Sequence, residues 1–142
     1  VSLPLRLELE IVPASGRVST PTTLLARLSN DSGRTQLVNS RMLLNHPDAP
    51  GEVSLEVAGP AGWVNPVDFH IRVGAAGPEF FQELADGESV VQDWDLDRYL
   101  DLDAPGDYVL TVTYRQESAA APDGRPMAVG TVSATVTAHR SA

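Results

Sequence analysis

The chain has 142 residues, 42% of them apolar, with no cysteine and a formal net charge of −9. That suits a single domain over residues 1–142 with a core of its own, and excludes disulfides, thiol catalysis and thiolate metal sites. The acidic balance argues against nucleic acid, which is bound by neutralising phosphates, and against anionic membrane surfaces; no apolar run is long enough for membrane insertion.

The first twelve residues alternate, with Leu3, Leu5, Leu7, Leu9 and Ile11 on one parity and Arg6, Glu8 and Glu10 on the other. This predicts a half-buried strand rather than a leader with a continuous apolar stretch. Pro13 and Gly16 break it. Residues 22–30 predict a second strand with Leu24, Ala26 and Leu28 inward, closed by the turn cluster Asn30–Arg34. Residues 36–45 predict one third strand, nearly continuous in apolar residues at Met42–Leu44, ended by His46–Gly51. Residues 52–58 alternate again through Val53, Leu55 and Val57. Gly59–Pro66 reads as a loop carrying Trp63. Val67, Phe69, Ile71 and Val73 predict the next inward row, with Asp68, His70 and Arg72 outward.

Residues 74–87 read as a long connection bearing Phe80, Phe81 and Leu84, and 88–96 as a strand. Residues 107–117 form the clearest strand, with Tyr108, Leu110, Val112 and Tyr114 on one face. Ala119–Pro126 reads as a hairpin-type loop with an Asp-Gly pair, the segment expected to be most mobile. Residues 128–138 close the chain with Val132, Ala134 and Val136 inward. About eight short strands between Gly/Pro turns, with no sustained helical period, predict an all-β fold: an antiparallel immunoglobulin-like or fibronectin-like β-sandwich of about seven to nine strands.

The run from Asp93 to Tyr108, DWDLDRYLDLDAPGDY, concentrates the carboxylates. Its register from Asp93 imitates a calcium loop, but Arg98 stands where an EF-hand needs Gly and Ala104 where it needs a bidentate Glu. A different calcium site, drawing on Asp95, Asp97, Asp101 and Asp103, is the metal expectation; no other cofactor is implied. The architectural alternative is that these aspartates lie on a solvent face and cap a short helical turn at Leu96–Leu100. The end of the run reads as a structural corner. Leu102 supplies a buried anchor, Pro105 a fixed φ and Gly106 a permissive turn. Tyr108 adds a ring whose hydroxyl reaches backbone upstream, the arrangement called a tyrosine corner.

With Leu84, Gly87, Glu88, Ser89, Asp95, Leu96, Tyr99 and Asp101, those corner residues make the segment Glu83–Tyr114 resemble bacterial immunoglobulin-like domains. These include the non-catalytic N-terminal domain of peptidyl-Lys and deuterolysin-like metalloendopeptidases, and intracellular proteinase inhibitor-like domains. Asp86 stands where that pattern usually has Pro. The resemblance covers about a quarter of the chain and carries over no catalytic residue, because its motif is a corner. It implies a bacterial, extracytoplasmic accessory module, secreted or periplasmic, with a protein partner and without enzyme activity.

The residue chemistry agrees with that expectation. There is no His-Glu-x-x-His, no Gly-x-Ser-x-Gly and no phosphate-cradling Gly loop, and His46, His70 and His139 are scattered. Candidate contacts for a partner are Trp63, whose alternative is to fold back over the end of the core, and the adjacent Phe80 and Phe81, of which in an extended chain one can face inward and the other outward. Trp94 shares parity with Val90 and Leu96 and is expected in the core. Two other readings stand beside the accessory module. One is a proteinase inhibitor-like domain presenting residues 118–126 or 59–66; the other is a calcium-stabilised spacer.

Overall fold

The computed structural model describes residues 1–45, 51–64 and 74–142, with Trp63 and Val64 described by their backbone alone. The expectations for His46 and for the row Val67–Val73 lie outside the described residues. Within them the chain is nearly all β, with two short 3-10 turns and no α-helix. No helix is long and apolar enough to cross a membrane.

One sheet joins β1 (Arg6–Val12), β3 (Thr23–Ser29) and β9 (Ser89–Asp95) in the order β1-β3-β9, antiparallel throughout. A second runs β2-β11-β10-β6-β5 through β2 (Ser15–Arg17), β11 (Gly130–Ser141), β10 (Gly106–Gln116), β6 (Val53–Gly59) and β5 (Leu44–Asn45). Its long central pairs are antiparallel, whereas β2 and β5 add as short parallel strands. β7 (Gly62–Val64) folds back on β6, and β4 (Gln36–Asn39) pairs with β8 (Phe81–Leu84) as a separate ribbon.

The alternation read from the sequence places the core. Leu7, Ile11, Leu24, Ala26, Leu28 and Trp94 from the first sheet are buried in one hydrophobic cluster with Val53, Leu55, Val57, Leu110, Val112 and Tyr114 from the second. Burying each Val, Leu or Ile among them contributes about 1.5–3 kcal/mol. Val38 and Leu84 bring the β4–β8 ribbon into the same cluster. Val132, Ala134 and Val136, expected inward, are only half-buried, as are Leu5, just before β1, and Leu9 on it.

Three expectations fail in instructive ways. The single strand over residues 36–45 is two strands belonging to different sheets. Between them Met42 takes φ +46° while remaining buried, so the chain turns from the β4–β8 ribbon to the edge of β6. The loop over 59–66 begins as a tight hairpin, with Ala58 paired to Trp63. The connection over 74–87 contains a 3-10 turn at Pro78–Phe80 and then β8, and Leu84 is fully buried.

The corner between β9 and β10 has the geometry its composition demands. Tyr108 is buried, and its hydroxyl donates to the Ala104 carbonyl at 2.7 Å. Leu102 is buried as well. Gly106 has φ +132°, and a Cβ there would come within 2.6 Å of the Pro60 ring, so this position tolerates no side chain. Tyr108→Phe removes one hydrogen bond and little packing. The expected loss is about 1 kcal/mol, read as a lower urea midpoint at unchanged slope.

Candidate functional site

The aspartate run is used as architecture. Asp95 N-caps the 3-10 turn Leu96–Arg98, accepting from the Asp97 amide at 3.1 Å, and the Tyr99 and Leu100 amides both donate to the Leu96 carbonyl. Asp97 reaches across and accepts from the Thr22 amide at 3.0 Å, tying the turn to the start of β3. Asp101 accepts from the Asp103 amide at 3.0 Å, and Asp103 accepts from the Ser19 hydroxyl at 3.2 Å.

Asp95, Asp97, Asp101 and Asp103 therefore do not assemble the calcium cage proposed for them. Among the described residues no group of three or more Asp, Glu or His could hold a metal ion. The physical reason is direction. Each carboxylate is aimed at its own amide or hydroxyl partner, within the turn for Asp95 and Asp101 and across to Thr22 and Ser19 for Asp97 and Asp103, whereas a hard cation needs several oxygens converging on one point. Calcium is accordingly expected to leave the melting temperature unchanged in the presence and absence of chelator. A calcium-dependent rise of several degrees would contradict this geometry.

The proposed partner contacts are placed differently from one another. Trp63 lies on the short strand β7 at the end of β6. Phe80 and Phe81 are both half-buried, which corrects the expectation of one in and one out. The 3-10 turn ending at Phe80 breaks the alternation on which that expectation rested. Their backbone is already engaged. The Phe80 carbonyl accepts from the Ser40 amide and hydroxyl, and the Phe81 carbonyl lies 3.5 Å from Arg125.

The loop holding Arg125, residues 118–126, is internally bonded rather than bare. Ala121 donates to the Arg125 carbonyl, Gly124 to the Ala121 carbonyl and Met127 to the Ala119 carbonyl. Arg125 also pairs with Asp123 at 2.7 Å, and the exposed tip is Pro122–Gly124.

Several buried polar groups escaped the sequence reading because only the fold brings them together. Asn30 is completely buried. Its amide donates to the Arg34 and Leu84 carbonyls, and its side-chain oxygen accepts from Ser32. Arg41 and Glu52 form a bidentate pair at 2.8 and 2.6 Å, and burial is outweighed by that bond, so the Arg41 pKa is raised. The Tyr114 hydroxyl lies within hydrogen-bonding distance of the Asn39 amide and carbonyl and of the Gln116 side-chain oxygen. Arg140 is buried at the end of β11, donating to the Pro13 and His139 carbonyls and to the Thr22 hydroxyl.

The main chain of β11 is the contrast. In its antiparallel ladder with β10, alternate residues turn both N–H and C=O away from β10. Thr131 and His139 show which parity this is. Thr131 exchanges bonds with Val1 and Leu3, and the His139 amide donates to Ala14. Ser133, Thr135 and Thr137 share that parity. Among the described residues nothing pairs with their outward groups, because β2 reaches only His139–Ser141 and the N-terminal bridge only Thr131. The side chains of this face are hydroxyl-rich: Thr111 meets Thr135 at 3.2 Å and Thr113 meets Ser133 at 2.8 Å. The chain thus defines an all-β domain with one long, uncharged, partly unpaired edge. No protein-family model matches it, and no curated protein matches it.

Proposed function

We propose that this chain is an immunoglobulin-like β-sandwich serving as a non-catalytic interaction module of a bacterial extracytoplasmic protein. Several features support the fold reading. The first strand is divided between two sheets as β1 and β2, the two sheets share one cluster of buried side chains, and Tyr108 bonds back to Ala104 at the entry to β10. The observation that carries the functional reading is the unpaired edge of β11, since an extended segment of a partner gains main-chain hydrogen bonds there by strand addition. The Asp95, Asp97 and Asp101 side chains of the run are engaged in holding the corner.

The inhibitor-like reading has one observation in its favour: residues 118–126 present an exposed tip on an internally bonded base, as a protease-resistant loop would. One experiment separates the two. Photoreactive side chains are placed singly at positions 63, 123 and 135 and irradiated in the extracytoplasmic fraction of the host. The module reading expects one adduct, identified by mass spectrometry and competed by excess unlabelled chain. Stoichiometric inhibition of a protease, with an adduct only from position 123, overturns it in favour of the inhibitor.

A further inference from the structure

We infer that the outward face of β10 and β11, between Arg115 at one end and the Asp107–His139 pair at the other, binds a neutral, extended, β-linked oligosaccharide of the cellulose type. The inference goes beyond the protein-partner reading and stands on the face of the sheet, not on the edge of β11.

Register builds this face. Thr131 turns its main chain away from β10, so Ser133, Thr135 and Thr137 form non-hydrogen-bonded pairs with Thr113, Thr111 and Val109. In such pairs the Cα atoms come within about 4.5 Å and the side chains approach most closely. Two hydroxyl pairs result, Thr113 with Ser133 and Thr111 with Thr135. Ser133, Thr135 and Val109 are exposed, and Thr111, Thr113 and Thr137 are half-buried, so the face is open to solvent. Glu56 on β6, exposed and opposite Thr111, borders it. The row of Thr137 and Val109 continues through Ala58 to Trp63 on β7, which brings that candidate contact into line with the face by register.

Strand preference alone accounts for threonine on an exposed strand, but not for the lack of charge. The other sheet shows how this chain treats an ordinary outer face: Arg6, Glu8, Glu10, Arg27, Asp93 and Asp95 are all exposed on it. Between Arg115 and Asp107 the outward positions of β10 and β11 carry no charge. The charges at the two ends are paired, His139 with Asp107 and Arg115 with Glu117.

These local features select the ligand. A nucleic acid or an acidic glycan is held by cations, which this face lacks. A protein partner is anchored by buried aromatic and arginine side chains, and the only apolar outward residue of β10 and β11 is Val109. The hydroxyls of a neutral sugar both donate and accept, as those of Ser and Thr do. Cross-strand bonds and the stiff χ1 of threonine fix the protein's hydroxyls before binding, so little side-chain freedom is lost. The β-linkage matches a strand, because it makes an extended ribbon whose units alternate in orientation as strand residues do. From Thr131 to Thr137 the face runs roughly 20 Å, enough for a short oligosaccharide.

The test titrates cellohexaose into isotope-labelled protein and follows backbone amides by NMR. Maltohexaose, a coiled isomer, and hexagalacturonic acid, a charged chain, are the comparisons. Cellohexaose is expected to give saturable shifts at residues 107–115 and 131–137 and none at residues 118–126. Both comparisons are expected to bind at least ~10-fold more weakly. Thr111→Val combined with Thr135→Val keeps branched side chains suited to a strand and deletes only hydroxyls. It is expected to raise the Kd for cellohexaose at least ~10-fold.

No saturable shift with cellohexaose overturns the inference. So do shifts centred outside these two strands, or equal binding of either comparison, neither of which depends on how the double variant folds. An unchanged Kd in the folded double variant overturns it as well. Each of these failures leaves the protein-binding reading to its own cross-linking test.

Discussion

Glu52→Ala is expected to lower stability by about 3–5 kcal/mol. The reason is what Glu52 leaves behind. Its carboxylate receives both Nε and Nη2 of Arg41 and lies 3.3 Å from the Leu43 amide, with the two side chains only 11% and 17% exposed. Removing it strands a guanidinium in a site that has excluded most water.

The same pair holds the turn at Met42, a bulky residue at φ +46° whose backbone costs about 1–3 kcal/mol and persists only where the surroundings fix it. Arg41 also donates to the Gly74 carbonyl, and the Gln92 side chain donates to the Arg41 carbonyl, so the turn is anchored from Glu52 just before β6, from Gly74 and from β9. Replacing both partners, as in Arg41→Met with Glu52→Leu, is expected to recover most of the loss, because the uncompensated charge is then gone. Chemical denaturation of the two single variants and the double variant measures this directly. A double variant as unstable as the sum of the singles would show that the pair is not the cause.

Whatever depends on alternation was legible in the sequence, and whatever depends on which strand lies beside which was not. Leu24, Ala26 and Leu28, and likewise Val53, Leu55 and Val57, declare their buried face by parity alone, and the structure buries all six. Leu102, Pro105, Gly106 and Tyr108 were legible because a corner needs those residue types within a few positions of one another. The break at Met42 was not, because Met42–Leu44 reads as a continuous apolar run and the groups that hold it open, Glu52, Gly74 and Gln92, are distant in sequence.

Asn30, Tyr114 and Gln116 looked like ordinary members of turns and strands until the fold brought Leu84, Asn39 and Ala128 to them. The aspartates misled in the opposite direction. Their crowding suggested shared oxygens, yet aspartate is also the residue that best satisfies stray amides in tight turns. The β11 edge is the extreme case. Residues 131–138 read as a plain closing strand, and nothing local says that the N-terminal segment pairs with it only at its two ends.

Raising the pH above about 10 is expected to unfold the protein cooperatively, with the tyrosines ionising only as it unfolds. Burial is the leading cause that pushes the pKa of Tyr99, Tyr108 and Tyr114 upward, most strongly for Tyr114, which is fully buried. The sign follows from proton counting. Below pH 10 both states keep the phenolic protons and these groups add no pH dependence. Above it the unfolded chain releases protons that the folded chain retains, so stability falls as pH rises, by about 1.4 kcal/mol per pH unit for each strongly shifted tyrosine.

At pH 11.5 Tyr114 alone accounts for about 2 kcal/mol. Tyr114→Phe separates this from general alkaline damage. At neutral pH it costs about 1–3 kcal/mol, because the Asn39 amide and the Gln116 oxygen lose their partner. Above pH 10 its stability declines less steeply, so the two curves approach each other by roughly pH 11.5. Phenolate absorbance and far-ultraviolet circular dichroism, followed together, decide it. An absorbance rise from all three tyrosines near pH 10 while the strand signal stays intact would mean that Tyr114 is open to water and that its hydrogen bonds do not hold β4 to β10.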